Sequence, residues 1–196
     1  IPEPRAAVIF HDPLQALNPR ARIGTQLGLA LSAGNSKKAS GKDVICSLLS
    51  QLGFEQPEQT LKHYPSQLSG GQRQRISCAR ALVSDPKFIV ADESVAALDV
   101  SIQADVLNLL NSIQRERGIT FLFISHDLSM VRHIADRVVV MYLGKVAEIG
   151  PRDGLYDDPL HPYTKALLSA VPEPDPASHD TANRTILQGD VPSPAN

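Results

Sequence analysis

Residues 88–93 read Phe-Ile-Val-Ala-Asp-Glu, an apolar run closed by two acids. A run of this length predicts a buried parallel-sheet strand with carboxylates at its C-terminal end. A second run, Thr120-Phe-Leu-Phe-Ile-Ser-His126-Asp127, is another apolar strand, ending in a histidine. Around them the pattern alternates: strand Phe88–Ala91, helix Ser101–Glu116, strand Thr120–Ile124, helix Leu128–Ala135, strand Arg137–Tyr142. This alternation predicts an α/β chain with a parallel sheet. Ligands of open α/β sheets bind beyond the C-terminal strand ends. Asp92 has the chemistry to hold Mg²⁺, a hard cation that takes carboxylate and water oxygens. Glu93 can orient or deprotonate an attacking water. The plainer alternatives are solvated acids at a strand end and a structural histidine.

Residues 68–75, Leu-Ser-Gly-Gly-Gln-Arg-Gln-Arg, form the second informative stretch. Ser69 suits a helix N-cap, because its hydroxyl can accept from the free N–H groups of the first turn. Gly70 and Gly71 lack a Cβ and admit close approach to the backbone. The run Gln72–Ser84 holds no Gly or Pro and is predicted helical. Small residues opening a helix can make a phosphate site, since free N–H groups and the helix dipole point outward. An ordinary glycine-rich cap reads the same way.

Upstream, Ala6–Phe10 is a short strand and Asp12–Pro19 a loop. Ile23–Ala33 and Lys42–Leu52 are helical, joined by the polar linker Gly34–Lys42. Pro57–Tyr64 extends a helical region that stops before Pro65, so about residues 20–85 form a helical insert ahead of the Asp-Glu strand. Leu143-Gly144-Lys145 is a turn, Val146–Ile149 the returning strand, and the residues after Pro174 an irregular tail. A chain of 196 residues can bury one sizeable core, or a core plus a small lobe. A net charge of −2 gives no electrostatic reason to expect nucleic-acid binding. No apolar stretch approaches the roughly 20 residues that span a bilayer. Cys46 and Cys78 are unpatterned and argue for neither a disulfide framework nor a zinc site.

The order of these features in one chain resembles the nucleotide-binding subunit of an ABC transporter. Leu68–Gln72 matches the family's signature motif, Phe88–Glu93 its Walker B strand, Ala97-Leu98-Asp99 its D-loop and Ile124–Asp127 its switch-histidine loop. Asp12-Pro13-Leu14 through Leu17-Asn18-Pro19-Arg20 is similar to the DPxxxLNPR segment of oligopeptide and dipeptide importers. Leu98–Gln103 and His161–Pro172 are similar to elements of the same group.

The resemblance implies a P-loop NTPase-like parallel core, incomplete at its N-terminus, with an inserted helical subdomain. Residues 1–19 would hold the end of a core strand and the Q-loop region, and 20–85 the helical subdomain that touches the membrane partner. Residues 86–150 would form the remaining core and 151–196 the peptide-importer extension. It further implies that two subunits pair head to tail, with ATP and Mg²⁺ between them. Ser69, Gly70, Gly71 and Gln72 would meet ATP held by the partner subunit. Asp92 would bind Mg²⁺, Glu93 would be the general base, His126 would bond the γ-phosphate, and Asp99 would order the opposing site. The other expected partners are transmembrane permease subunits and, indirectly, a substrate-binding protein, with the subunit at the cytoplasmic membrane face. The motifs do not separate oligopeptide, dipeptide, glutathione or metal-chelate cargo.

The chain also departs from the family pattern. No G-x-x-x-x-G-K-[ST] phosphate loop occurs in it. In the family that loop precedes the DPxxxLNPR segment, so the sequence is expected to be a fragment that alone does not hydrolyse ATP and exposes apolar sheet surface. A degenerate cassette completing a partner's site, and a non-transport ATPase of the same type, are the other readings. His11 stands where the family usually has the Q-loop glutamine that contacts Mg²⁺, and imidazole is a poorer Mg²⁺ ligand. Ser94 and Ala96 replace the usual Pro and Ser.

Overall fold

The computed structural model describes residues 6–33, 41–93 and 100–170. Packing divides the chain into two compact units, with the boundary between His126 and Asp127.

The first unit is built on a parallel sheet of three strands, β1 (Ala6–Ile9), β2 (Phe88–Asp92) and β3 (Thr120–Ile124), with β2 in the middle. Ile9 pairs with Ala91, and Ala91 with Phe123. The helices α1 (Pro13–Ala16), α2 (Ile23–Ala33), α3 (Gly41–Gln51), α4 (Pro57–Thr60) and α5 (Gly70–Leu82) lie between β1 and β2 in the chain. After β2 comes α6 (Val100–Arg117). The α5 helix organises this unit, packing against β1, α1, α2 and α3. Its residues Ile76, Cys78, Ala79 and Leu82 are buried, as are Ile9, Ile89 and Ala91 of the sheet.

The strands are not buried on both faces, as the apolar runs suggested. Val8 is 43% exposed, Leu122 48% and Ile124 46%. Period-two alternation puts these residues opposite the buried Ile9 and Ile89. One face therefore packs on helices and the other carries exposed apolar side chains.

Local chemistry explains the helix boundaries. Asp12, expected in a loop, instead caps a helical turn: its Oδ1 accepts the Leu14 N–H at 2.8 Å, and Pro13 supplies a preset φ at the first position. The helix expected over Pro57–Tyr64 stops at Thr60. The Leu61 and His63 carbonyls instead accept the Gly24 and Ile23 N–H groups, each at 2.9 Å, satisfying the start of α2. This crossing brings Gly24 very close to Leu61: a Cβ on Gly24 would lie 3.0 Å from the Leu61 carbonyl oxygen.

The second unit contains α7 (Leu128–Ile134), β4 (Arg137–Tyr142), β5 (Lys145–Pro151), α8 (Arg152–Asp157) and α9 (Pro162–Ser169). The strand Arg137–Tyr142, expected to continue the parallel alternation, pairs antiparallel with β5. A two-residue connection can join only antiparallel neighbours. Leu143 and Gly144 both have positive φ, 48° and 76°, which a tight hairpin turn of this length requires. Val138, Val140 and Leu155 form the small core, with Tyr163, Leu167 and Leu168 packed on it. Glu148 holds α9 in place, accepting the Leu160 and His161 N–H groups at 2.8 and 3.0 Å. His161 caps the same helix, its Nδ1 accepting the Tyr163 N–H at 3.1 Å. The His-Pro-Tyr-Thr stretch is thus a helix start tied to a strand.

Candidate functional site

The C-terminal ends of the three parallel strands converge on one carboxylate. Glu93 follows β2 with φ of 42°, a left-handed conformation in a non-glycine residue. Such a backbone costs on the order of 1–3 kcal/mol and persists only when its surroundings enforce it. Here the Glu93 N–H donates to the Ile124 carbonyl at 2.9 Å, tying the turn to β3. His126, just beyond β3, places Nδ1 3.0 Å from Glu93 Oε1. His11, just beyond β1, places Nε2 4.0 Å from Glu93 Oε2. Asp92, the preceding residue, ends β2 with an exposed side chain.

Sequence reading assigned these four residues separate tasks, and the fold brings His11, Glu93 and His126 together. Their union follows from parallel topology, which sends all three strands the same way and leaves their C-terminal ends side by side. The cluster is open to solvent: the Glu93 side chain is 36% exposed, and the histidines more so. Among the described residues no group of three or more His, Cys, Asp or Glu side chains is arranged to hold a metal ion. Asp92 does offer a hard, accessible carboxylate. That suits Mg²⁺, which commonly takes one or two protein carboxylates and completes its shell with water and substrate phosphates.

The second group stands at the start of α5. Ser69 is the N-cap, its Oγ accepting the Gln72 N–H at 3.2 Å. The Gln72 side chain reciprocates, its Oε1 accepting the Ser69 N–H at 2.9 Å. This capping box was not anticipated, although its Ser-x-x-Gln spacing is visible in the sequence. It starts the helix at Gly70, two residues before the uninterrupted run at Gln72. Gly70 is exposed, its φ is not among the positive values, and a Cβ there would meet nothing within 4 Å. Nothing in the described chain calls for a glycine at this position. Asp99, the D-loop residue, lies outside the described residues, as do Ser94 and Ala96.

Two buried glutamines hold neighbouring backbone, a role that nothing in the local pattern marks. Gln26 of α2 clamps the Asn18-Pro19 turn. Its Oε1 accepts the Asn18 N–H at 2.8 Å, and its Nε2 donates to the Asn18 and Ala21 carbonyls at 3.0 and 2.8 Å. Gln74 of α5 reaches the Phe10 carbonyl at 3.5 Å, next to His11. Arg80 donates to the Ala16 carbonyl from the same helix. An open groove of about 640 Å³ lies beside this turn, lined by Leu14, Leu17, Asn18, Gln26, Leu29 and Arg80. Cys78 is a packing residue: burial pushes its thiol up to about 12.

Comparison with known proteins agrees with this architecture. Residues 2–96 match the family model described as "ABC transporter". Residues 147–196 match "Oligopeptide/dipeptide transporter, C-terminal region". A Brucella ovis protein named for ATP binding in peptide import is 52% identical over 193 residues, spanning 98% of this chain and 60% of its own length. The oligopeptide transport ATP-binding protein OppF of Salmonella typhimurium is 48% identical over 191 residues, spanning 96% and 57%. The chain thus spans about 60% of the length of the curated relatives it matches. Among solved structures, cbiO1 from Clostridium perfringens, part of an ABC transporter complex, superposes with a TM-score of 0.66 at 28% identity, covering 78% of this chain and 59% of that one. A dimeric ATP-binding cassette bound to ADP and Pi gives 0.65 at 28%, covering 76% and 63%. The fold is α/β and P-loop NTPase-like, with ABC-transporter family sequence over residues 2–96 and oligopeptide/dipeptide-transporter C-terminal sequence over residues 147–196.

Proposed function

We propose that this chain belongs to the subunit that binds and hydrolyses ATP in an importer of di- or oligopeptides. The observation that carries the hydrolytic reading is Glu93: a carboxylate on a strained backbone at the end of the central strand, with His126 Nδ1 at 3.0 Å. A general base must be accessible and held in orientation. The exposed Glu93 side chain, anchored by the Ile124 carbonyl and met by an imidazole, satisfies both conditions. His126 orients the carboxylate and presents its ring to the γ-phosphate.

Asp92 would hold Mg²⁺, which neutralises phosphate charge when bound. Ser69, Gly70, Gly71 and Gln72 would receive the γ-phosphate of ATP held by a second subunit. The cap uses the Gln72 N–H and leaves the exposed Gly70 open to close approach, which supports this assignment. His11 stands on the other side of Glu93, and Asp99 is assigned to the dimer interface from its motif alone. The domain assignment is 1–19, 20–85, 86–150 and 151–196, with the helical stretch facing the permease. The groove beside the Gln26 clamp is open, partly apolar and flanked by the exposed Leu14 and Leu29, which suits a permease segment. No helix among the described residues is long and apolar enough to cross a membrane, so attachment would be through the permease at the cytoplasmic face.

The test is Glu93→Gln in the assembled importer. Turnover is expected to be abolished while ATP binding is retained. Turnover near that of the unmodified protein would overturn the general-base assignment.

A further inference from the structure

We infer that His11 is a second positioning residue for Glu93, gripping the carboxylate oxygen that His126 leaves unheld. This rests on the general-base reading of Glu93. The two imidazoles come from the ends of β1 and β3, the strands that flank β2, and approach opposite oxygens of one carboxylate: Nδ1 of His126 at Oε1, 3.0 Å, and Nε2 of His11 at Oε2, 4.0 Å. A carboxylate held at one oxygen still rotates about its terminal torsion, which has a broad energy well. A second polar group facing the other oxygen restricts that rotation. An oxygen accepts along two lone-pair directions, so an imidazole facing Oε2 from 4.0 Å leaves room there for an attacking water.

His11 is itself held from below. The preceding carbonyl, of Phe10, accepts from the buried Gln74 side chain at 3.5 Å, and the following residue, Asp12, is fixed as the cap of α1. The residue therefore sits on a braced turn. The 4.0 Å separation is longer than a direct hydrogen bond, so the contact is a modest polar one, as expected between side chains at 52% and 36% exposure.

The experiment compares His11→Ala, His11→Gln and Glu93→Gln in the assembled importer, reading kcat and KM for ATP. His11→Ala is expected to lower kcat about fivefold, equivalent to ~1 kcal/mol of barrier, with KM for ATP unchanged. His11→Gln, whose amide N–H can face the same oxygen, is expected to restore most of that loss. Imidazole ¹⁵N spectra of the ATP-binding subunit supply a readout independent of turnover: Glu93→Gln is expected to shift the ring nitrogens of both His11 and His126. A raised KM with unchanged kcat, equal rates for all His11 variants, or a His11 ring insensitive to Glu93→Gln would each overturn the inference. If Glu93→Gln itself leaves turnover intact, the general-base reading fails instead.

Discussion

Replacing Gln26 by leucine removes a clamp while nearly preserving side-chain volume. Gln26 is 8% exposed and makes three hydrogen bonds to the backbone of residues 18 and 21. A typical internal hydrogen bond contributes about 0.5–1.5 kcal/mol net, and a buried group left unpaired loses more. The Asn18 N–H and the Asn18 and Ala21 carbonyls would all lose their Gln26 partner. Asn18 is exposed, so water recovers part of that loss. The expected destabilisation is therefore about 3 kcal/mol. With a urea m-value of about 1–3 kcal/mol/M, the unfolding midpoint should fall by roughly 1–3 M. Urea unfolding followed by circular dichroism gives the total, and exchange of the Asn18 amide locates it. Gln26→Glu separates the contributions, because a carboxylate keeps the Asn18 N–H bond but turns an oxygen toward two carbonyls. That variant should be the weaker of the two at neutral pH. A leucine variant within about 0.5 kcal/mol of the parent, the ordinary range for surface changes, would refute the view that Gln26 holds this turn.

Three further outcomes follow from local geometry. Gly24→Ala should destabilise by about 1–3 kcal/mol, the usual penalty for overpacking, because its Cβ would press 3.0 Å from the Leu61 oxygen; thermal unfolding measures this. Gly70→Ala should leave stability unchanged or slightly raised, since its Cβ meets nothing within 4 Å, yet lower ATP turnover; normal turnover would argue against close approach of a phosphate there. The Glu148 carboxyl is held below its ordinary value of 4.5, chiefly by the Leu160 N–H. A depressed carboxyl pKa contributes stability that is full above the unfolded value and lost as pH falls through the folded one. Protection of the Leu160 and His161 amides should therefore persist at neutral pH and decline below about pH 4.5, and Glu148→Gln should remove that dependence.

Much of the fold was legible locally. The strands Thr120–Ile124 and Arg137–Tyr142 and the helix Ile23–Ala33 stand where apolar runs and helical spacing put them, because both are properties of the chain itself. Ser69 was readable as a cap for the same reason: its hydroxyl acts on the turn that follows it. Where expectation and structure part, either a distant group or a tight turn has intervened. The helix after Pro57 stops because carbonyls of Leu61 and His63 are taken by α2, some forty residues earlier in the chain. The strand at Arg137 leaves the parallel pattern because a two-residue turn reverses it.

The sequence by itself determined the family resemblance, the α/β class and the identity of the chemical groups at the strand ends, since motifs are linear and carry their own spacing. It could not determine that His11 and His126 would meet on Glu93. That depends on β1 and β3 flanking β2, an order of strands that joins residues more than eighty positions apart. Nor could it mark Gln26, whose three bonds arise only once the Asn18 turn lies across α2. Linear pattern records which groups are present. Which of them share one carboxylate or one backbone turn is decided by packing, because hydrogen bonds and ion pairs act over a few ångströms of space whatever the distance along the chain.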